Sequence, residues 1–434
     1  MKLEGAKVVV VGMARSGVAA VELLREKGAI VRAVDQKPIP IEGITVEPQT
    51  DTAFADADLI VLSPGVPADL PALNVLRERG VKIIGDLELA SWFLKGEIIG
   101  ITGANGKTTT TALTGHILKE SGIAVQVGGN IGTPPASMVN PSRTDQLNVM
   151  ELSSFQLETT ESFRAHIGVA LNVTPDHLDR HYTIENYAEA KARLFVNQME
   201  SDFAVLNHDD AITRSYAART KAAPVWFSST NVISPGASVS VHGMQIMLDG
   251  EPLMDAAEVP LRGMHNLENT MAAALSAWLV GATHPEIRRA VMTFPGVEHR
   301  LEFVRERNGV AWYNDSKATN VDAALKAIAA FPGGLWVILG GKDKNSDYRP
   351  LAAPLKGKSH AALLIGAAAE KIRAQLGGEV RMIACRTLDA AVQEARARAV
   401  RGDTVLLAPA CASFDQFENY EHRGREFKRL VGEL

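Results

Sequence analysis

Only two cysteines, Cys385 and Cys411, occur in 434 residues, far apart in sequence and without the paired spacing of a metal knuckle. A disulfide framework and a zinc site are not expected; both thiols are expected as small buried apolar groups. No run of about 18 apolar residues is present. The opening MKLEGAKVVVVG places Glu4 and Gly5 where a signal peptide needs an apolar core. The expectation is therefore a soluble, cytoplasmic protein without membrane insertion. Charge of one sign is also scarce, since 45 basic and 50 acidic residues leave a formal net charge of −5. That balance gives no polyanion-binding surface, so nucleic acid is not an expected partner. Internal repeats, low-complexity tracts and long linkers are missing as well. What is present is 46% hydrophobic content over a length too great for one ordinary core, which predicts two to four globular domains.

Apolar runs and helical periodicity alternate along the chain. Lys7 to Gly12, Gly17 to Gly28 and Ala29 to Asp35 read as strand, helix and strand, and further strands follow at 59–62 and 81–84. A helical stretch ends at Lys95-Gly96, which places a boundary near residue 95. Strands at 147–151 and 167–173 alternate with helices at 184–199 and 265–280, with short strands over 224–262. Phe294-Pro295-Gly296 is a helix stop followed by turn chemistry, and marks a second boundary. Strands near 335–339, 361–365 and 404–407 then predict a further doubly wound sheet. The fold class is α/β, in three domains over 1–95, 96–295 and 296–434.

The segment IIGITGANGKTTTT, residues 98–111, runs from an apolar strand through Gly103, Ala104, Asn105 and Gly106 into Lys107, Thr108 and Thr109. Backbone N–H groups at a glycine turn and a helix N-terminus are preorganised for phosphate, Lys107 reaches the outer phosphates, and the Thr108 hydroxyl suits Mg²⁺. ATP is the expected ligand. The spacing is the tight G-x-x-G-K-[ST] form, because five residues before Gly106 stands Ile101. Near the N-terminus, Gly12-Met-Ala-Arg-Ser-Gly17 with Asp35 at the end of the next strand is an imperfect dinucleotide fingerprint, with Ala14 in place of the middle glycine. Ser63-Pro-Gly65 adds a second loop at the same sheet edge. Turn glycines alone explain these loops equally well.

Glu151 in ELSSFQLE and His177 in NVTPDHLDRH follow predicted strands, and parallel strands would bring both to the phosphate-loop edge. Thr108 and Glu151 would then suit one Mg²⁺, with His177 helping at another; a surface or capping role fits each residue taken singly. Asp176 and Asp179 fit helix capping. Lys191, in YAEAKARLF, sits where helical periodicity allows it to face the same cleft, but spacing alone favours a solvated helix lysine. Asn130 lies between glycines, suited to a polar substrate or a turn. Asn266 and Asn269, three apart at a helix start, fit adenine recognition or capping. In the last third, Arg300, Asp315, Lys317, Thr319, Lys344 and Ser413 follow predicted strands. Four polar loops at strand ends form a rim, and its cations and hydroxyls suit a dicarboxylate.

Taken together, GANGKTTT, GGNIGTP, ELSSFQLE, NVTPDHLDRH, HNLEN, EHRLE, NDSKATN, GGKDK and PACASFDQFENYEHRGREF make the chain resemble the Mur ligases over essentially its whole length. The NDSKATN and ACASFDQF segments resemble the branch that adds D-glutamate. The resemblance implies an N-terminal Rossmann-like domain gripping UDP, a central P-loop ATPase-like domain on a parallel sheet, and a C-terminal Rossmann-like domain that closes over them. It implies ATP-dependent amide synthesis in peptidoglycan precursor assembly, joining D-glutamate to UDP-N-acetylmuramoyl-L-alanine through an acyl phosphate, by a monomer. Carried over by motif, Gly103, Asn105, Gly106, Lys107, Thr108 and Thr109 handle ATP phosphates, and Asn266, Arg300 and Asp315 contact the nucleotide. Thr108, Glu151, His177 and Lys191 would serve two Mg²⁺ sites, Lys191 as a CO₂-derived carbamate. Lys107, His177, Lys191 and Asn130 would be catalytic. Arg15, Ser16, Asp35, Ser63 and Asn130 would bind the UDP substrate, and Lys317, Thr319, Lys344, Ser413 and Tyr420 the D-glutamate. Tyr420 stands where the family often has Phe, and the glycine loop reads GMARSG; both departures leave the reaction class unchanged.

Overall fold

A computed structural model describes residues 2–38, 40–239 and 245–434. It is α/β, with three sheets among the described residues. The chain divides into two units, Met1–Ala256 with Glu268–Met292, and Ala257–Leu267 with Thr293–Leu434.

The first unit carries two sheets. The smaller has the order Val46–Pro48, Ile30–Asp35, Lys7–Val11, Leu59–Leu62, Lys82–Gly85, with every pairing parallel. Side chains alternate across it: Val8 and Val10 enter one apolar cluster, Val9 and Val11 the other. A parallel sheet covered by helices on both faces requires that arrangement. The chain leaves Lys7–Val11 toward one edge and returns to its other side at Leu59–Leu62, which opens a crevice between the loops after these two strands.

The larger sheet has nine strands. Val125–Gly129, Leu147–Glu151, Ile98–Thr102, Ile167–Ala170, Phe203–Asn207, Ala223–Ser228 and Gly236–Val239 lie side by side in that order, all parallel. Gln245–Leu248 and Glu251–Asp255 extend it as an antiparallel hairpin. This agrees with the short strands expected over 224–262, of which 240–244 lie outside the described residues. The helix expected over 184–199 stops at Val196.

Glu88 ties the two sheets of this unit together. It is fully buried, and its carboxylate accepts the backbone N–H groups of Glu161, Ser162 and Phe163 at 2.9–3.1 Å, the Ser162 hydroxyl and Trp92 Nε1 at 3.0 Å. Burial alone would raise its pKa, but these donors hold the carboxyl below the usual range. A buried carboxylate met by this many donors fixes the approach of two elements in a way apolar packing cannot.

The second unit is built on the order Glu302–Arg307, Val310–Asn314, Thr404–Leu407, Leu335–Gly340, Ser359–Ile365, Met382–Arg386. The first pair is antiparallel and the rest are parallel. Leu335, Val337 and Leu339 face one core, Trp336 and Ile338 the other. The strand EFVRER was not read from the sequence because it is a charged, half-exposed edge strand, without the apolar run that marks the inner strands. Both cysteines are buried and free, as expected. Among the described residues, no helix is long and apolar enough to cross a membrane.

Candidate active site

The strand Ile98–Thr102 is buried throughout and delivers the chain to Gly103. Gly103 and Gly106 adopt φ of 158° and 89°, values that a residue with a Cβ rarely takes. At Gly106 a Cβ would lie 2.3 Å from Asn269 Oδ1, so glycine is also required by packing. The helix Lys107–Glu120 starts at once, with Thr108 and Thr109 buried in its first turn. Lys107 Nζ donates to Gly103 O at 2.8 Å and to Ala104 O at 2.9 Å. Asn269 receives the Thr110 hydroxyl at 3.3 Å, so one of the two paired asparagines packs behind the loop. Asn266 belongs to the other unit, where its amide donates to Arg262 O at 2.7 Å.

Parallel pairing brings the neighbouring strand ends to the same edge. Glu151 pairs in register with Ile101 and is 2% exposed; its Oε1 accepts Asn130 Nδ2 at 2.9 Å. His177, which follows the strand on the other side, has φ 54°, a strained conformation of the kind that collects at functional sites. Its ring meets Phe155 edge-on at 4.9 Å. His181, which was not singled out from the sequence, lies beneath, stacked on Phe155. It bonds Ser154 Oγ at 2.9 Å, and burial, with Arg180 and other cations adding, pushes its imidazole down to about 4.

Lys191 departs most from its reading by spacing alone. It is 1% exposed, its Nζ donates to Gly103 O at 2.8 Å, and it lies 4.3 Å above the Tyr187 ring. Burial drives its pKa well down, Lys107 pushes the same way, and Asp176 and Glu151 oppose. The lysine that spacing alone reads as solvated is thus a buried amine at the back of the phosphate loop. The helix Ile184–Val196 faces the sheet with Tyr187, Ala190, Lys191 and Leu194, so Lys191 falls on its inner stripe.

At the crevice of the smaller sheet a 690 Å³ cavity is lined by Arg15, Ser16, Asp35, Ser63 and Asn130, together with Gln36, Gln49 and the 63–67 loop. Every residue expected at the UDP site therefore borders one space. Asp35 has a structural duty there: it accepts Met13 N at 2.7 Å and Lys37 N at 2.8 Å. Ser63 Oγ donates to Gly12 O at 2.6 Å. A Cβ on Gly17 would lie 1.8 Å from Gly12 O, which explains the second glycine of GMARSG. Asp86 Oδ1 accepts Leu87 N at 2.9 Å, and burial pushes its carboxyl up to about 6, with Ser16, the Leu87 N–H and Gln156 pulling the other way.

In the second unit three of the four expected loops follow strands; Arg300 does not, because it precedes the antiparallel edge strand Glu302–Arg307, whose first residue lies opposite Asn314. Asp315 follows Asn314, Lys344 follows Gly340, and Ser413 follows Leu407, at the carboxyl ends of adjacent parallel strands. Asp315 is buried; burial raises its carboxyl to about 6 while Arg300 and the Leu301 N–H pull it back. Lys317 Nζ lies 4.9 Å over the Tyr420 ring. Thr319 is half-buried, Lys344 exposed and Ser413 buried. The loops are joined by Arg423, which was missed in the sequence because a helical arginine reads as solvated. It is fully buried and donates to Ser316 Oγ and O at 3.0 and 2.8 Å and to Cys411 O at 3.2 Å. Lys342 and Ala412 exchange backbone hydrogen bonds at 2.8 and 3.2 Å, which holds the Lys344 and Ser413 loops side by side.

With that geometry in hand, similarity to known proteins is consistent over the full chain. Residues 6–85 match the Mur ligase MurD-like N-terminal domain, 101–277 the Mur ligase middle domain, and 299–411 the Mur ligase glutamate ligase domain. The chain is 58% identical to UDP-N-acetylmuramoylalanine--D-glutamate ligase of Solibacter usitatus, covering 100% of this chain and 99% of the relative. It is 53% identical to the ligase of that name from Acidobacterium capsulatum, over 99% and 97%. Among solved structures, MurF ligase of Thermotoga maritima in complex with ADP superposes with a TM-score of 0.63 at 17% identity, covering 100% of this chain and 96% of that one. UDP-N-acetylmuramate-alanine ligase MurC of Thermotoga maritima gives 0.62 at 19%, over 98% and 99%. At those identities the solved structures speak for the fold, while the sequence relatives and the three domain matches in chain order establish descent: the chain belongs to the Mur ligase family.

Proposed function

We propose that this chain joins D-glutamate to UDP-N-acetylmuramoyl-L-alanine with consumption of ATP, an amide-forming step of peptidoglycan precursor synthesis. The observation that carries the reading is the convergence of the phosphate loop, Glu151, His177 and the buried Lys191 on one sheet edge, in the unit that also holds the 690 Å³ cavity bordered by Asn130. The names of relatives at 58% and 53% identity support the substrate pair.

On this reading residues 1–95 bind the UDP moiety through Arg15, Ser16, Asp35 and Ser63, residues 96–295 bind ATP, and residues 296–434 bind the amino acid. Gly103, Asn105, Gly106, Lys107, Thr108 and Thr109 take the phosphates; Asn266, Arg300 and Asp315 take the rest of the nucleotide. The alanyl carboxylate attacks the γ-phosphorus, ADP departs, and the D-glutamate amine then adds to the acyl phosphate carbonyl and expels phosphate. Two anions must meet in the first step, so Lys107 and His177 are assigned to stabilise the charge that grows on the transferring group. Asn130 orients the acceptor, its amide held by Glu151. ATP and a UDP-linked substrate suit a cytoplasmic protein, acting here as a monomer.

The donor set fits magnesium. A buried carboxylate on Glu151 and a hydroxyl on Thr108 are hard oxygen ligands at adjoining strand and helix ends, and His177 follows the strand on the other side. Bound magnesium would screen the phosphates and polarise the γ-phosphoryl group. Lys191 fits a carbamate: burial, with the Lys107 charge, favours the neutral amine, and a neutral amine adds CO₂, losing a proton, and becomes an oxygen ligand.

Lys317, Thr319, Lys344, Ser413 and Tyr420 are assigned to D-glutamate. Ser413→Ala is expected to raise KM for D-glutamate roughly tenfold, the worth of one buried hydrogen bond to a charged group, with KM for ATP within about twofold. Equal rises in both would remove Ser413 from the amino-acid pocket. The reading as a whole is tested by ADP release with each substrate omitted in turn and with D- and L-amino acids compared. Release should require both the acceptor and D-glutamate.

A further inference from the structure

Asn172 lies two residues beyond the strand Ile167–Ala170 and is half-buried. That strand runs parallel to Ile98–Thr102 with Thr102 opposite Ala170. The ladder does not end there. Leu171 N donates to Thr102 O at 3.0 Å and Ala104 N donates to Asn172 O at 2.8 Å. The Asn172 side chain then takes over: Asn105 N donates to its Oδ1 at 2.9 Å, and its Nδ2 donates to Asn105 O at 3.1 Å. One amide thus pairs with both polar groups of a single residue, as another strand would.

The consequence lies in the peptide planes. In a trans peptide the C=O and N–H point in opposite directions. Holding Ala104 N–H toward Asn172 turns Gly103 C=O away from it, and holding Asn105 N–H turns Ala104 C=O away. Both carbonyls are found on that far side, where they accept Lys107 Nζ, and Gly103 O also accepts Lys191 Nζ. Holding Asn105 C=O toward Asn172 likewise turns Gly106 N–H to the far side, at the start of the helix Lys107–Glu120. Three successive peptide planes of the phosphate loop are therefore oriented from one neighbour. The backbone N–H groups of Ala104 and Asn105 are taken by Asn172, so the backbone donors turned toward phosphate are those of Gly106 and the first helical turn.

We infer that Asn172 is a positioning residue that sets the peptide planes of the Gly103–Gly106 loop and so fixes its affinity for a nucleotide triphosphate, without touching the nucleotide itself. The inference rests on the proposed reading of this loop as the ATP site. The short G-x-x-G-K-[ST] spacing gives it a physical reason, because a loop with few residues has few peptide groups and each must already point the right way.

The test uses the full chain and two variants. Asn172→Ala removes both side-chain hydrogen bonds. Asn172→Asp keeps the shape and the acceptor but loses the donor to Asn105 O. Both should raise KM for ATP and the Kd for ADP, measured by calorimetry, by roughly tenfold or more, with KM for D-glutamate and for the UDP substrate within about twofold. Amide hydrogen exchange over 103–106 should quicken in Asn172→Ala while the strand Leu147–Glu151 keeps its protection. ADP affinity within twofold of the parent in both variants would overturn the inference, as would a uniform loss across all substrates. Should Asn172→Ala fold poorly, Asn172→Asp carries the comparison alone. Lys107→Ala separates the two levels: retained ATP affinity there would overturn the reading of the loop, whereas lost affinity there with unaffected Asn172 variants would overturn only the role of Asn172.

Discussion

Lys191→Ala is expected to lower turnover by about 10²- to 10³-fold or more, and millimolar acetate is expected to restore part of it in a magnesium-dependent way. The amine is buried within hydrogen-bond distance of Gly103 O, and burial with the Lys107 charge favours its neutral form. Only a neutral amine adds CO₂, and only the resulting anion supplies oxygen ligands. A small carboxylate entering the space left by the side chain supplies the same atoms, whereas a purely structural lysine would not be replaced by acetate. Carbon NMR of the intact protein with labelled bicarbonate should show a carbamate signal that Lys191→Ala lacks. Near-normal turnover in the variant, or no such signal, would return Lys191 to a structural role.

Lys107→Ala is expected to abolish ADP release, by roughly 10³-fold or more, while the fold survives. The ammonium makes two hydrogen bonds to carbonyls of its own loop. Their loss costs about 1–3 kcal/mol of stability, a minor part of what phosphoryl transfer loses when a cation is removed from the transferring group. The melting transition should therefore remain cooperative and shift by only a few degrees. Loss of activity together with a collapsed transition would mark Lys107 as structural.

The contrast between these lysines shows what sequence reasoning reaches here. Lys107 is legible because its neighbours are diagnostic: a strand, two glycines and a threonine run have few joint explanations. Lys191 is not, since one lysine in an amphipathic helix says nothing of whether its stripe faces water or a cleft; burial decides that, and burial is tertiary. The same holds for Arg423, which nothing in the sequence singles out and which is fully buried against the carbonyls of Ser316 and Cys411. Asp35 illustrates a different limit. Its place at the cavity edge is legible from the dinucleotide-like spacing, but its carboxylate holds Met13 and Lys37 N–H groups, a geometry that spacing does not encode. The inner parallel strands at 59–62, 147–151, 335–339 and 404–407 are legible because both faces are apolar, whereas Phe203–Asn207, inner and parallel to both neighbours, was not read. The edge strand Glu302–Arg307 was lost because its composition serves solvent as much as core.

The central claim is that an acceptor carboxylate is activated by phosphoryl transfer and then captured by D-glutamate. The most direct measurement supplies UDP-N-acetylmuramoyl-L-alanine carrying heavy oxygen in its alanyl carboxylate, together with ATP and D-glutamate, and follows the label and the UDP product by mass spectrometry. The account predicts a product longer by one glutamyl unit, one ADP for each amide formed, and one heavy oxygen in every inorganic phosphate released. ADP release without the acceptor, or amide formation with unlabelled phosphate, would contradict it.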